Sequence, residues 1–169
     1  MIPGRFDFLR SLRTLVEQEV RFVVIGGLAG RLHGSTTVTN DLDICYARDE
    51  HNLDRLARAL RDLNARLRGV EDAVPFVLDA HTLKAGDHFT FVTDAGSLDC
   101  LGTPAGVMGF EQLDRNATVM ELNGWSVRVA AVDDLIRMKR AAGRPKDLIE
   151  VEILGALRDE IESQRPRRR

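Results

Sequence analysis

Two aspartates at alternate positions, in the run Asp41-Leu42-Asp43-Ile44, follow a Gly26-Gly27 pair that closes the apolar stretch Phe22-Val23-Val24-Ile25. On a strand, residues i and i+2 share a face, so Asp41 and Asp43 aim at one point. Two carboxylates aimed together repel unless a positive charge lies between them. Oxygen-only ligands suit Mg²⁺, and a phosphate chain completes its coordination shell. A Gly-Gly turn after a strand, opening a short helix, lets backbone N–H groups approach a phosphate with no side chain intervening. One stretch of sequence thus calls for both a metal and phosphates, as nucleotide-dependent group transfer requires.

An acidic pair of this kind needs a third partner, and Leu98-Asp99-Cys100 supplies one. Asp99 sits in a separate strand-like run between apolar neighbours, where a carboxylate is costly without a counter-charge. Three carboxylates around two Mg²⁺ ions would bind a triphosphate and lower the pKa of an attacking hydroxyl. In-line phosphoryl chemistry then needs mainly positioning and charge neutralisation. Carboxylates are expected to be ionised at neutral pH, so metal and nucleotide should bind with little proton release.

Residues 5–19 carry a helical apolar stripe through Phe8, Leu9, Leu12, Leu15 and Val16. A buried strand spans 21–26 and a short helix 27–33, stopped by Gly34 as a left-handed cap. Residues 35–40 form a polar, hydroxyl-rich loop before the second strand, 41–47. The stretch 49–67 reads as one helix with Leu53, Leu56, Leu60, Leu63 and Leu67 on one side, and its acidic start suits the helix dipole. An apolar segment at 75–78 precedes a hairpin of residues 88–93 and 97–101 around Asp94-Ala95-Gly96. A second hairpin joins 118–122 to 126–129 through Asn123-Gly124, a strong turn signal. Two helices close the chain, 132–142 and 146–163, broken by Gly143-Arg144-Pro145. The expected fold is α/β (α+β): one domain over residues 1–164, a mixed sheet flanked by helices with a helical C-terminal element, the catalytic core at about 20–130.

Composition bounds the partners. The chain has 24 basic and 26 acidic residues, and four of the basic ones fall in the last five positions. Without that tail the balance is 20 against 26, an acidic body that argues against nonspecific binding to duplex DNA but not against a focused RNA contact. The tail, 165–169, reads as a disordered end. No run approaches membrane-spanning length and no signal-peptide core opens the chain, so a cytoplasmic location is expected. Cys45 and Cys100 lack zinc-ligand spacing and read as buried thiols. His33 reads as a helix-end residue stabilising the loop, and His51, His81 and His88 as incidental. Thr39 could be a self-modification site, but a loop hydrogen bond is the simpler role.

Residues 22–44, with Gly26-Gly27, His33-Gly34-Ser35 and Thr39-Asn40-Asp41-Leu42-Asp43, resemble the minimal nucleotidyltransferase superfamily with the DNA polymerase β-like catalytic fold. Thr93 to Asp99 resembles its third-carboxylate strand. The segment from Asp134 through Lys139 and Arg144 to Asp147 is similar to the C-terminal signature of bacterial nucleotidyltransferases, among them toxins of type IV toxin–antitoxin pairs. The resemblance implies that Asp41, Asp43 and Asp99 are metal ligands for two Mg²⁺ ions, with Asp99 also a base toward the acceptor. Gly26 and Gly27 become the triphosphate cradle, beside Ser35 and Thr39, while Lys139, Arg144 and Lys146 become phosphate contacts. Relatives often carry an arginine where this chain has Thr37, which leaves Arg31 as a candidate substitute. The activity implied is transfer of an NMP from an NTP to an acceptor hydroxyl. One acceptor is a tRNA 3′ end, in a toxin controlled by an antitoxin protein. Others are a small hydroxylated molecule such as an antibiotic, or none, in a non-catalytic regulatory module that keeps the fold.

Overall fold

A computed structural model describes residues 5–70 and 75–166, so positions 167–169 of the basic tail lie outside the described residues. Its centre is a seven-stranded mixed sheet in the order β3-β4-β5-β2-β1-β7-β6. The strands are β1 (Phe22–Ile25), β2 (Asp41–Tyr46), β3 (Arg66–Leu67), β4 (His88–Thr93), β5 (Gly96–Leu101), β6 (Thr118–Leu122) and β7 (Trp125–Val129). Central β1 is buried at all four positions, as a continuous apolar run demands. It pairs antiparallel with β2 and parallel with β7. The remaining parallel pair, β2 with β5, sets Asp41 opposite Ser97 and Asp43 opposite Asp99.

Among the described residues, seven helices flank the sheet: α1 (Phe8–Glu17), α2 (Gly26–His33), α3 (Glu50–Asp62), α4 (Ala80–Ala85), α5 (Phe110–Asn116), α6 (Val132–Ala142) and α7 (Pro145–Gln164). The expected stripes do become core: Leu12 and Leu15 of α1 and Leu53, Leu56 and Leu60 of α3 are fully buried. Asp7 and Asp49 cap the two helices by accepting from Arg10 N and Asn52 N.

The helix expected to run to Leu67 stops instead at Asp62. Asn64 takes a left-handed conformation (φ 51°), and Ala65 N closes the end onto the Leu60 carbonyl. Leu67, which continued the helical stripe by spacing alone, pairs with Phe91 as part of β3. Two short helices, α4 and α5, had no periodic signal. The first is announced by Asp79, whose carboxylate accepts from Thr82 N at 2.8 Å. Both hairpins form, the second around Asn123 and Gly124 at positive φ.

Asn52 is completely buried and fastens the ends of β1 and β2 to α3. Its amide donates to the carbonyls of Arg21 (3.0 Å) and Ala47 (2.7 Å), and its oxygen accepts from Arg21 N (2.7 Å). Asn52→Ala leaves Arg21 N and the Ala47 carbonyl without their partner, the Arg21 carbonyl keeping Ala47 N, and should lower unfolding free energy by about 2–4 kcal/mol. Urea denaturation followed by circular dichroism measures it, and a loss below about 1 kcal/mol would show that water replaces the amide.

Candidate active site at the acidic cluster

Parallel pairing of β2 and β5 turns sequence spacing into a cluster. Carboxylate oxygens of Asp41, Asp43 and Asp99 all lie within 4.8 Å of one another. Gly26 makes room for this arrangement. It begins α2 at φ 68°, and a Cβ there would stand 2.1 Å from Asp43 Oδ2. A side chain at position 26 therefore meets both a strained backbone and an occupied site. Gly27 has a different neighbour: its Cβ would meet the Thr39 side chain at 3.1 Å. The second glycine packs the 35–40 loop against the helix. The helix start has no side-chain cap, so its first N–H groups remain to be satisfied by something else.

Ser35 and Thr39 organise that loop. Ser35 Oγ accepts from Thr37 N and bonds Thr37 Oγ1, while Thr39 Oγ1 donates to the Asp41 carbonyl at 3.1 Å and lies 3.3 Å from its carboxylate. His33 bonds the Ala130 carbonyl at 2.8 Å, so it ties α2 to the end of β7 rather than to the loop.

Burial and its two acidic neighbours push the Asp43 carboxyl from 3.8 up to about 7, against the opposing pull of Lys139. The expectation that all three carboxylates are ionised at neutral pH does not hold for Asp43 in the metal-free chain, because burial first and its acidic neighbours second make its charge costly. Asp99 is also raised by burial, but Arg68 works the other way through an ion pair of 2.7 Å, helped by His88. The donor set fits a hard divalent cation: three carboxylates, no thiol or imidazole among the clustered ligands, one of them crowded into partial neutrality.

An open cleft of about 370 Å³ borders the cluster, lined by Asp43, Asp99, Gly26, His88, Lys139 and Arg144 among others. Larger hollows run along α1 and the β6–β7 side, away from the carboxylates. Lys139 is mostly buried and paired, not solvated: its Nζ lies 2.8 Å from Glu150 and 3.5 Å from Asp147. It also lines a tight hollow with Gly26, Gly27, Ser35 and Thr37, between the start of α2 and helices α6 and α7. Arg144 borders the cleft while its guanidinium is bonded to Asp147 at 2.6 Å. Lys146, exposed on the first turn of α7, and Arg31, exposed on α2, are not among the residues lining cleft or hollow.

Two residues of the site escaped the sequence reading. Arg68 was hidden by the assumption that the helix ran to Leu67. His88 was legible: pairing of Thr90 with Asp99 puts residue 88 on the same face, two positions along β4.

Moving the Asp43 carboxyl from 3.8 to about 7 makes its ionised form cost up to about 4 kcal/mol in the metal-free protein. The folded state holds this proton more tightly than the unfolded chain, so the penalty is absent below pH 4, grows as pH rises, and is complete above pH 7. Asp43→Asn should match wild type in melting temperature near pH 4 and exceed it at pH 8. Mg²⁺ should raise only the wild-type value, releasing protons near pH 7. Scanning calorimetry with and without Mg²⁺ tests this; a destabilised Asn variant at pH 8 would make Asp43 a structural residue. Gly26→Ala should lose the Mg²⁺-dependent rise and at least about 1–2 kcal/mol of stability from the left-handed backbone alone, whereas unchanged Mg²⁺ binding would show that Asp43 can move aside.

No family model matches the chain, and neither does any curated protein sequence. Solved structures do. A proposed nucleotidyltransferase from Thermotoga maritima superposes with a TM-score of 0.51 at 18% identity, over 93% of this chain and 94% of that one. The antibiotic-resistance factor ANT(2″)-Ia, in complex with adenylyl-2″-tobramycin, gives 0.54 at 17% identity over 93% and 95%. The lincosamide antibiotic adenylyltransferase LnuA, bound to lincomycin, gives 0.60 at 11% identity over 89% and 95%. With its mixed sheet and acidic cluster in place, this chain has the nucleotidyltransferase fold.

Proposed function

We propose that this protein is a Mg²⁺-dependent nucleotidyltransferase that moves an NMP from an NTP to an acceptor hydroxyl. The observation that carries the reading is the convergence of Asp41, Asp43 and Asp99 within 4.8 Å beside an uncapped helix start. The three carboxylates would hold two metal ions, which when bound supply charge neutralisation to the triphosphate and a lowered pKa to the acceptor hydroxyl. Gly26, Gly27 and Lys139 line one hollow at the start of α2, whose first N–H groups would hold the phosphates with the Lys139 ammonium. Asp99, which shares the open cleft with Lys139, would take the proton of the attacking hydroxyl. Arg144 is a further phosphate contact where it borders the cleft. Ser35 serves less directly, by shaping the loop, and Lys146 would contact the phosphates only if the exposed first turn of α7 met them.

Two acceptors fit this chemistry. A tRNA 3′ end, with the chain as a toxin held in check by an antitoxin protein, is supported by the resemblance of residues 134–147 to such toxins. A small hydroxylated molecule is supported by the likeness to structures described with lincomycin and with adenylyl-tobramycin. The regulatory module without turnover gains no support from an intact carboxylate cluster. A cytoplasmic location suits either acceptor; no helix of the described residues is long and apolar enough to cross a membrane.

Incubation with Mg²⁺, each labelled NTP, total tRNA and a panel of aminoglycosides and lincosamides tests the proposal. Label should pass to one acceptor class and disappear in Asp41→Ala and Asp99→Ala. Lys139→Ala should lower the single-turnover rate by ~10²-fold or more, as removal of a transition-state charge donor does. Its fold should persist, since Arg144 still holds Asp147. Transfer at wild-type rate by Asp41→Ala would sink the metal-site reading, and by Lys139→Ala would leave the phosphates to the helix start alone.

A further inference from the structure

Two cations border the carboxylate cluster. Lys139 lines the cleft beside Gly26 and Asp43, and Arg68 reaches Asp99 from the end of β3. With the NTP phosphates held near Gly26 and Lys139, an acceptor that approaches Asp99 along the open face of β5, β4 and β3 meets Arg68. Strand register defines that face: Thr90 lies opposite Asp99, Val92 opposite Ser97, and Arg66 opposite Val92. Its alternate residues are His88, Thr90 and Val92 on β4, Ser97 and Asp99 on β5, with Phe91 and Leu98 pointing to the buried side.

Arg68 follows β3 directly, is anchored by its N–H to the Thr90 carbonyl at 2.9 Å, and places Nη2 2.7 Å from Asp99 Oδ1. His88 borders the cleft at the other end of β4. Among the described residues of these three strands, Asp99 is the only carboxylate on the face; Asp41 and Asp43 continue it on β2, in register with Ser97 and Asp99, where the metal would neutralise them. The next one along the hairpin, Asp94 in the turn, already accepts from Asn64 at 2.6 Å. The guanidinium carries five N–H donors and spends one of them on Asp99 in this structure. A planar fork with donors to spare is suited to a phosphate or carboxylate, and repels a polycation.

Resting on the nucleotidyl-transfer reading, we infer that the acceptor carries an anionic group, a phosphate ester in its simplest form, beside the hydroxyl that attacks, and that Arg68 is the residue that positions it. When a metal claims Asp99, the Arg68 guanidinium exchanges one carboxylate partner for the acceptor's anion, so its charge stays paired throughout. A nucleic-acid end and a free phosphorylated sugar share this chemistry. A polycationic aminoglycoside does not.

Initial rates of label transfer with a matched set of acceptors test the inference: a nucleoside, its 5′-monophosphate, total tRNA, an aminoglycoside and a lincosamide. The phosphate-bearing acceptors should be preferred by about tenfold or more, which one discriminating charge contact supplies. Preference for tRNA over the free monophosphate, or the reverse, identifies the source of the phosphate. Arg68→Gln should raise KM for phosphate-bearing acceptors by about tenfold and narrow their lead over the bare nucleoside, with a smaller change in kcat. Arg68→Lys should restore most of the preference. An aminoglycoside or unphosphorylated acceptor used as well as the phosphorylated ones overturns the inference, as does a preference unmoved by Arg68→Gln. Failure of the underlying reading is separate: NTP binding by calorimetry would then show no dependence on Mg²⁺, and the inference about the acceptor would fall with it.

Discussion

Mutual repulsion among Asp41, Asp43 and Asp99 is the constraint around which the centre of this molecule is arranged. Three carboxylates within 4.8 Å are held by the parallel registration of two buried strands, and the backbone cannot relax them apart without breaking that ladder. The cost appears at Asp43, whose carboxyl rises to about 7 because it is buried and flanked by two others. Such an arrangement persists because the rest of the sheet over-determines it, with Ile44, Leu42 and Cys100 fully buried between the acidic positions.

Other buried carboxylates in the chain show what a purely structural solution looks like. Asp134 is fully buried, and it accepts from Asn116 and Gln112 while pairing with Arg137, which docks α6 onto α5. Asp147 is equally buried; the Arg144 guanidinium and backbone N–H hold its carboxyl below the usual range, with Lys139 nearby. Each is matched by donors from its own surroundings. Asp43 is not matched in this way: its near neighbours are carboxylates, and only Lys139 opposes them. Lys139 belongs to both worlds, fastened to α7 by Glu150 yet close enough to Asp43 to oppose the rise of its carboxyl.

Helices α6 and α7 therefore do more than cover the sheet. Gly143, in a left-handed conformation, and Pro145 at the start of α7 fold the chain back so that the last turn of α6 and the first turn of α7 meet at the cleft. That turn brings Lys139, Arg144, Asp147 and Glu150 into one network at the mouth of the acidic cluster.

What the sequence determined by itself is whatever depends on short-range periodicity. Alternation placed Asp41 and Asp43 on one face, the Asn123-Gly124 turn announced its hairpin, the stripes of α1 and α3 became core, and the bounds of α6 were legible from apolar spacing and Gly143. The fold alone settled which distant strand stands beside β2, since register between partners 56 residues apart in sequence is set by packing and not by local preference. It also decided that Gly26 yields its side-chain space to Asp43, that Gly27 yields to Thr39, and that Lys139 is paired and not solvated. Leu67 shows the reason most plainly: its spacing fitted a helix, but Phe91 offered burial on a sheet edge, and long-range burial outweighs a local stripe once Asn64 has turned the chain. Arg68 reaches Asp99 only because of that turn.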